Sequence, residues 1–121
     1  MKIIVIANTS WNIFHFRLEL LKKLISKGHE IIAVSPHDSY VKQIESFGVK
    51  CISININQQG TNPIYDLLLI FNYFKIFKLH KPDLILGYTI KPNLYGNIAA
   101  GILRIPIINN ISGLGTLFIK I

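Results

Sequence analysis

The chain has 121 residues, 50% of them hydrophobic and 16% charged, which suits one folded domain and excludes a disordered segment. Its 13 Lys plus Arg against 6 Asp plus Glu give a formal +7, which favours an anionic partner such as phosphate, nucleic acid or an acidic membrane face. Cys51 stands alone, so no internal disulfide forms, and neither the short apolar run after Lys2 nor Leu67 to Phe74, interrupted by Asn72, reaches the length of a signal core or a spanning helix.

Ile3 to Ala7 reads as a central strand of a parallel sheet, and Asn8 to Asn12 as the loop after it. Phe14, Leu18, Leu21 and Ile25 recur at helical spacing among Arg17, Lys22, Lys23 and Lys27, giving an amphipathic helix ended by Gly28. Glu30 to Ser35 is a second strand, a short helix runs to Phe47 and stops at Gly48, and Val49 to Ile56 is a third strand that holds Cys51. After a polar loop, Pro63 fits a first helical position and Ile64 to His80 forms the longest helix. Leu67, Ile70, Phe71, Phe74 and Phe77 would make its buried face, widened by Leu68, Leu69 and Tyr73, while Lys75, Lys78 and Lys81 suit its last turns or an anionic lipid contact. Asp83 to Gly87 and Ile105 to Ile108 are further strands, joined by a helix that Pro92 or Asn93 opens and Gly101 and Pro106 bracket.

This rhythm predicts a Rossmann-like α/β fold, a parallel sheet of about five strands in the order 3-2-1-4-5 with helices on both faces. The switch point then lies between the first and fourth strands, so the Asn8–Asn12 loop faces the Tyr88–Asn93 loop across the crevice where such folds bind ligands. Asn8, Thr9 and Ser10 stand where a dinucleotide-binding loop needs glycines; Gly113 and Gly115 begin a similar pattern that Phe118 breaks. There is no Walker loop and no nucleophile elbow, and His15, His29, His37 and His80 lack the spacing of metal ligands, so neither a metal nor a cofactor is expected. What gathers at the crevice is Asn8, Thr9, Ser10, Trp11, Arg17, Thr89, Lys91, Asn93, Tyr95, Asn110, Ser112, Gly113 and Gly115, neutral polar and cationic groups of the kind that bind sugars and phosphates. Lys91, beside a helix N-terminus, is the candidate for an anion. Plainer roles compete: a helix cap for Asn93, a turn for Ser112 to Gly115, packing for Trp11, solvation for Arg17.

Asn8-Thr9-Ser10-Trp11 with Phe16-Arg17, Gly60 with Asn62-Pro63, Thr89-Ile90-Lys91-Pro92-Asn93 with Tyr95-Gly96, and Ile108 to Gly115 together resemble the amino-terminal part of family 4 glycosyltransferases. Within that family the likeness is to bacterial enzymes that extend polyprenyl-diphosphate-linked sugars in surface-polysaccharide or glycan assembly. The resemblance implies a two-domain GT-B architecture with retaining, metal-independent transfer of a hexosamine-type sugar. The amino-terminal half would hold the lipid-linked acceptor, on the first-strand loop, Thr89 to Asn93, and Asn110 to Gly115.

Residues 1–121 are therefore expected to be one acceptor-binding domain of an incomplete GT-B fold, with the nucleotide-sugar donor met only through a second domain or a partner chain. The carboxyl-terminal donor half, with its E-x₇-E type motif, is not among these residues, which read as truncated. Further expectations are a cytoplasmic location, peripheral on an anionic inner membrane face, and no nucleic acid, since the lysines are dispersed and no aromatic-basic stacking motif is present. The alternative is a non-catalytic module or inactive fragment that docks on a separate donor-domain protein.

Overall fold

The computed structural model describes residues 1–56 and 62–110. In chain order it has β1 (Lys2–Ile6), α1 (Ser10–Asn12), a π-helical turn (Ile13–Arg17), α2 (Leu18–Ser26), β2 (Glu30–Ser35), α3 (Val41–Glu45), β3 (Lys50–Ser53), α4 (Pro63–His80), β4 (Leu84–Tyr88), α5 (Ile90–Leu103) and β5 (Ile107–Asn110). The strands form one parallel sheet in the order β3-β2-β1-β4-β5, as the sequence predicts. Val5 sits at its centre, opposite Ala33 on one side and Leu86 on the other.

Because successive side chains of a strand point to opposite faces, β1 divides its residues between two cores. Ile3, Val5 and Ala7 pack with Ile13, Leu21 and Ile44 beneath α2 and α3. Ile4 and Ile6 pack with Leu69, Tyr73, Phe77, Ala99 and Ala100 beneath α4 and α5. Helices thus cover both faces. Each fully buried large aliphatic or aromatic side chain contributes about 1.5–3 kcal/mol, so truncation is costly in β1, with Ile4 and Ile6 at 0% exposure, and in β2, with Ile32 and Val34 at 0%.

Several boundaries depart from the sequence pattern for local reasons. The first helix begins at Ser10, not Phe14, because Thr9 Oγ1 accepts the Asn12 N–H at 2.9 Å and caps it. Gly28 and Gly48, at φ 91° and 94°, make the left-handed turns that follow α2 and α3. α4 opens as expected, with Asn62 Oδ1 accepting from Ile64 N at 2.9 Å and Pro63 at the first position. Its buried row is Leu69, Tyr73 and Phe77, while Leu67 and Phe71 face outward. α4 is apolar on nearly every side, so its sequence does not say which side meets the sheet. α5 starts at Ile90, ahead of Pro92, whose missing N–H costs nothing within a first turn. After α5, Arg104 turns left-handed at φ 58° and Ile105 N–H reaches back to Ala100 O at 2.9 Å. Ile105 is therefore spent in the cap, and β5 takes Asn109 and Asn110 into the ladder, opposite Gly87 and Tyr88.

Candidate functional site

The strand order reverses between β1 and β4, and the segments leaving those two parallel strands meet there. Asn8 N–H donates to Thr89 Oγ1 at 3.1 Å, which joins the two segments that the sequence places on opposite sides of the crevice. No loop separates β4 from α5. Thr89 makes the whole connection, at φ 70° and ψ 167°, a conformation that a β-branched residue adopts only when its surroundings impose it. The constraint is visible in the hydrogen bonds: Thr89 O accepts both the Asn93 backbone N–H at 3.2 Å and Asn93 Nδ2 at 2.8 Å. Asn93 Nδ2 donates a second time, to Asn110 O at 3.0 Å, and so ties α5 to the end of β5.

Asn93 is buried at 3% exposure, and its Oδ1 has no hydrogen-bond partner among the described residues. The side chain fits because residue 87 is glycine. A methyl group on Gly87 would collide with Asn93 Oδ1 and stand 3.3 Å from its Cγ and 3.5 Å from Asn109 Oδ1. Asn109 Nδ2 in turn donates to Asn97 Oδ1 at 3.3 Å.

On the other side of the crevice, Ser10 is a buried tie rather than an exposed group: its hydroxyl lies 2.9 Å from Ser35 Oγ and donates to Pro36 O at 3.0 Å. Trp11 N–H donates to Asp38 Oδ2 at 2.8 Å, and the indole is exposed. The Trp11 ring stacks on His15 with centroids 4.3 Å apart and meets Phe16 edge-on at 5.5 Å, while Tyr40 and Phe14 continue the aromatic group. The π-helical turn carries His15, Phe16 and Arg17. The Arg17 guanidinium lies 4.1 Å from the centroid of the Tyr88 ring, next to Thr89. Burial pushes the Tyr88 phenol above its ordinary pKa, and the Arg17 charge partly offsets that rise.

Lys91 and Tyr95 lie apart from this network. Lys91 and Asn93 are two positions apart, so they occupy different faces of α5. Lys91 Nζ pairs with Asp66 Oδ1 at 3.6 Å, and both side chains are about three-quarters buried. Tyr95 also hydrogen-bonds to Asp66; that bond, then burial, then the carboxylate charge hold its phenol above the ordinary range. Sequence reasoning missed Asp66, the sole acid of α4, although a lone carboxylate in the first turn of an apolar helix was a usable signal. It also missed His15, one helical turn from Trp11, and two residues that only the fold brings near: Asp38, which meets Trp11, and Tyr40, which meets Phe14 and His15. Asn110 contributes its carbonyl from within β5, and Ser112, Gly113 and Gly115 lie outside the described residues.

The result is a crevice with amide, hydroxyl and aromatic groups on its β1 side and a network of Thr89, Asn93 and Asn110 at its floor. Such a surface hydrogen-bonds hydroxyl-rich ligands and offers Trp11 as a stacking face for a ring. Among the described residues no group of three or more His, Cys, Asp or Glu side chains is placed to hold a metal ion.

Comparison with known proteins gives the same direction. Residues 2–120 match the family model described as glycosyl transferase 4-like. The chain is 28% identical over 120 residues to the N,N'-diacetylbacillosaminyl-diphospho-undecaprenol alpha-1,3-N-acetylgalactosaminyltransferase of Campylobacter jejuni, covering 98% of this chain and 32% of that protein. It thus spans about a third of the length of that curated relative. Among solved structures, a glycosyltransferase from Rickettsia africae superposes with a TM-score of 0.74 at 20% identity, covering 89% of this chain and 28% of that one. The UDP-GlcNAc 2-epimerase of Neisseria meningitidis, solved with UDP-GlcNAc bound, superposes with a TM-score of 0.66 at 17% identity, covering 90% of this chain and 32% of that one. These two likenesses establish the fold, which transferases and epimerases share.

Proposed function

The chain belongs to the glycosyl transferase 4-like family, and from that premise we propose that it forms the acceptor-binding part of a sugar transferase acting on a polyprenyl-diphosphate-linked sugar. The observation that carries this reading is the extent of the family match, residues 2–120, which takes in both loops of the crevice. The donor is a nucleotide sugar carrying a hexosamine-type unit, bound by a second domain or a partner chain. The protein works peripherally on the anionic inner face of the membrane, where its acceptor resides.

The residues divide the work by their chemistry. Trp11 offers a ring face to the acceptor sugar, and Asn8, Asn110 and Ser112 meet its hydroxyls. Thr89 and Asn93 hold the crevice floor in shape. Arg17 and Lys91 supply the cations for diphosphate, Arg17 from the Tyr88 side and Lys91 after exchanging Asp66 for the ligand.

The test is transfer from a panel of radiolabelled nucleotide sugars to polyprenyl-diphosphate sugars, with the protein alone and with membranes from its source. Transfer in either arm, absent when membranes are used without the protein, supports the reading. No transfer, together with no binding of the diphosphate sugar, refutes it. Within that assay Arg17→Ala and Lys91→Ala should each weaken acceptor binding several-fold without unfolding the domain, and unchanged affinity removes that residue from the site.

A further inference from the structure

β3 closes the sheet on one side, hydrogen-bonded to β2 alone among the described residues. Ile54 N–H donates inward to Ser35 O at 3.3 Å, so by the alternation of a strand the peptide groups of Cys51 and Ser53 point out from the sheet edge. Ile52, Ile54 and Ile56 share a core with Leu69 and Tyr73 of α4, and two hollows lie in line between that strand segment and the helix. The first, of about 430 Å³, is lined by Asn55 and Ile56 on one side and by Tyr65, Leu68, Leu69 and Asn72 on the other. The second, of about 280 Å³, is lined by residues 52–55 and by Asn72, Lys75 and Ile76.

Asn55 and Asn72 border both hollows, which therefore form one groove with antiparallel walls. Ile52 to Ile56 spans about 13 Å of extended chain, and Tyr65 to Ile76 about 16 Å of helix. The two walls match the length of four or five extended residues. Asn72 stands at the middle. It interrupts the apolar run from Leu67 to Phe74, is a weaker helix former than the leucines before it, and makes no hydrogen bond with another described residue. Its half-buried carboxamide offers a peptide group the same donor and acceptor that another peptide group would.

The groove also has a charged end. No Asp or Glu lines either hollow, whereas Lys75 lines the second. Lys50 opens β3 at that same end. Burial, then the charges of Lys50 and Lys2, hold the His80 imidazole below its ordinary pKa against the opposing charge of Glu30, so the field of Lys50 reaches the last turn of α4.

Open peptide groups on a strand edge, a row of helical side chains beside them and cations at one end are what strand addition uses: main-chain bonds supply affinity and alternate side chains supply selectivity. We propose that the groove between β3 and α4 receives an extended, acidic segment of a partner polypeptide as an added strand, with an apolar side chain over Tyr65 and Leu68, a carboxylate at Lys75, and Asn72 between them. Side chains on one face of a strand are about 6.6 Å apart. Leu68, Asn72 and Lys75 follow one another along α4 at steps of about 6 and 4.5 Å, so residues i, i+2 and i+4 of the segment meet them in turn, the long Lys75 side chain making up the difference. A second copy of the chain suits this edge poorly, because each copy carries a formal +7 and would bring Lys50 and Lys75 to the contact. The groove is two strands away from the crevice between β1 and β4, and the inference is independent of the acceptor reading.

The experiment is an amide NMR titration of the isotope-labelled protein, at its natural length, with capped peptides that present leucine, threonine and aspartate at alternate positions, made in both chain directions. Matched peptides carry lysine for aspartate, or are N-methylated along one edge. An aspartate peptide of one direction should shift the Cys51 and Ser53 amides, and its lysine and N-methylated counterparts should bind about tenfold more weakly. Lys75→Glu should reverse the preference between aspartate and lysine, a result that misfolding does not produce. Asn72→Leu, which suits the helix, should weaken binding about fivefold, the worth of one hydrogen bond, with unchanged circular dichroism.

Equal affinity for aspartate and lysine peptides overturns the inference, as does indifference to N-methylation or to both substitutions. Shifts confined to residues away from β3 and α4 overturn it too, and so does the absence of binding by every peptide. A wild type that self-associates through the Cys51 and Ser53 amides overturns the choice of occupant.

Discussion

Gly87→Ala is the substitution that most directly interrogates the floor of the crevice. The added methyl would stand against Asn93 Oδ1 and 3.3 Å from its Cγ, so the Asn93 side chain must leave its place. Leaving it forfeits the hydrogen bonds to Thr89 O and Asn110 O, at 2.8 and 3.0 Å, worth about 1 kcal/mol each. Overpacking adds about 1–3 kcal/mol. A loss of about 3–5 kcal/mol follows, which for a domain of this size lowers Tm by roughly 10–25 °C. Asn93→Ala alone removes the same two bonds and also removes a buried oxygen without a partner, so it costs about 1–2 kcal/mol. Once Asn93 is alanine, the methyl on residue 87 meets nothing at that position. The double variant should therefore lose no more than Asn93→Ala alone, falling short of the summed single losses by about 3–5 kcal/mol, the whole cost of Gly87→Ala, in a urea-denaturation cycle. Additive losses would show that Gly87 and Asn93 do not constrain one another and would refute the account of how Thr89 is held.

Three other outcomes follow from the same structure. Tyr73→Phe removes a fully buried hydroxyl with no partner among the described residues and should leave stability unchanged or raise it by about 1–2 kcal/mol; a marked loss in urea would reveal a missed partner. Thr89→Val keeps the branched shape at φ 70° but deletes the acceptor of the Asn8 N–H, so it should cost about 1 kcal/mol and speed exchange of the Asn8 amide, read by NMR. Burial, and then the Glu45 charge, push the Cys51 thiol up to about 11. Its folded value lies above its ordinary 9.0, so its contribution to stability is complete below about pH 9 and is lost as pH rises toward 11, while iodoacetamide labelling at pH 8 is about 100-fold slower than that of a free thiol.

The topology was legible because strands buried on both faces leave unbroken β-branched runs, and the helices between them fix a parallel order. The family likeness was legible in the loops. What escaped was phase and closure. α4 carries Leu67 to Ile70 as four consecutive apolar residues, so no periodic contrast marked Leu69, Tyr73 and Phe77 as the inner row. Pro92 suggested a helix start, but the turn is made by Thr89, whose unusual φ is imposed by Asn8, Asn93 and the strand end and is not a propensity of threonine. Asn109 and Asn110 looked like loop residues because asparagine is rare in strands; the left-handed cap at Arg104 displaces β5 far enough to include them. Lys91 looked poised for an anion because Asp66, 25 positions earlier, is brought beside it only by the packing of α4 against α5.

The π-helical turn at Ile13–Arg17 gives the first helical segment one residue of slack. In an unbroken α-helix each residue advances the side chains by about 100°, so Trp11 and Leu21 could not be aimed independently. With the wide turn between them, α2 keeps Leu21 in the core at 0% exposure while Trp11 stays exposed and stacked on His15. A deletion of one residue there would act like a slipped gear tooth: the sheet and α2 would stay engaged, and the aromatic group would rotate out of alignment with Asn8 and Thr89. Tolerance to that deletion in stability, combined with loss of ligand binding, would mark the turn as an adjustment made for the site and not for the fold.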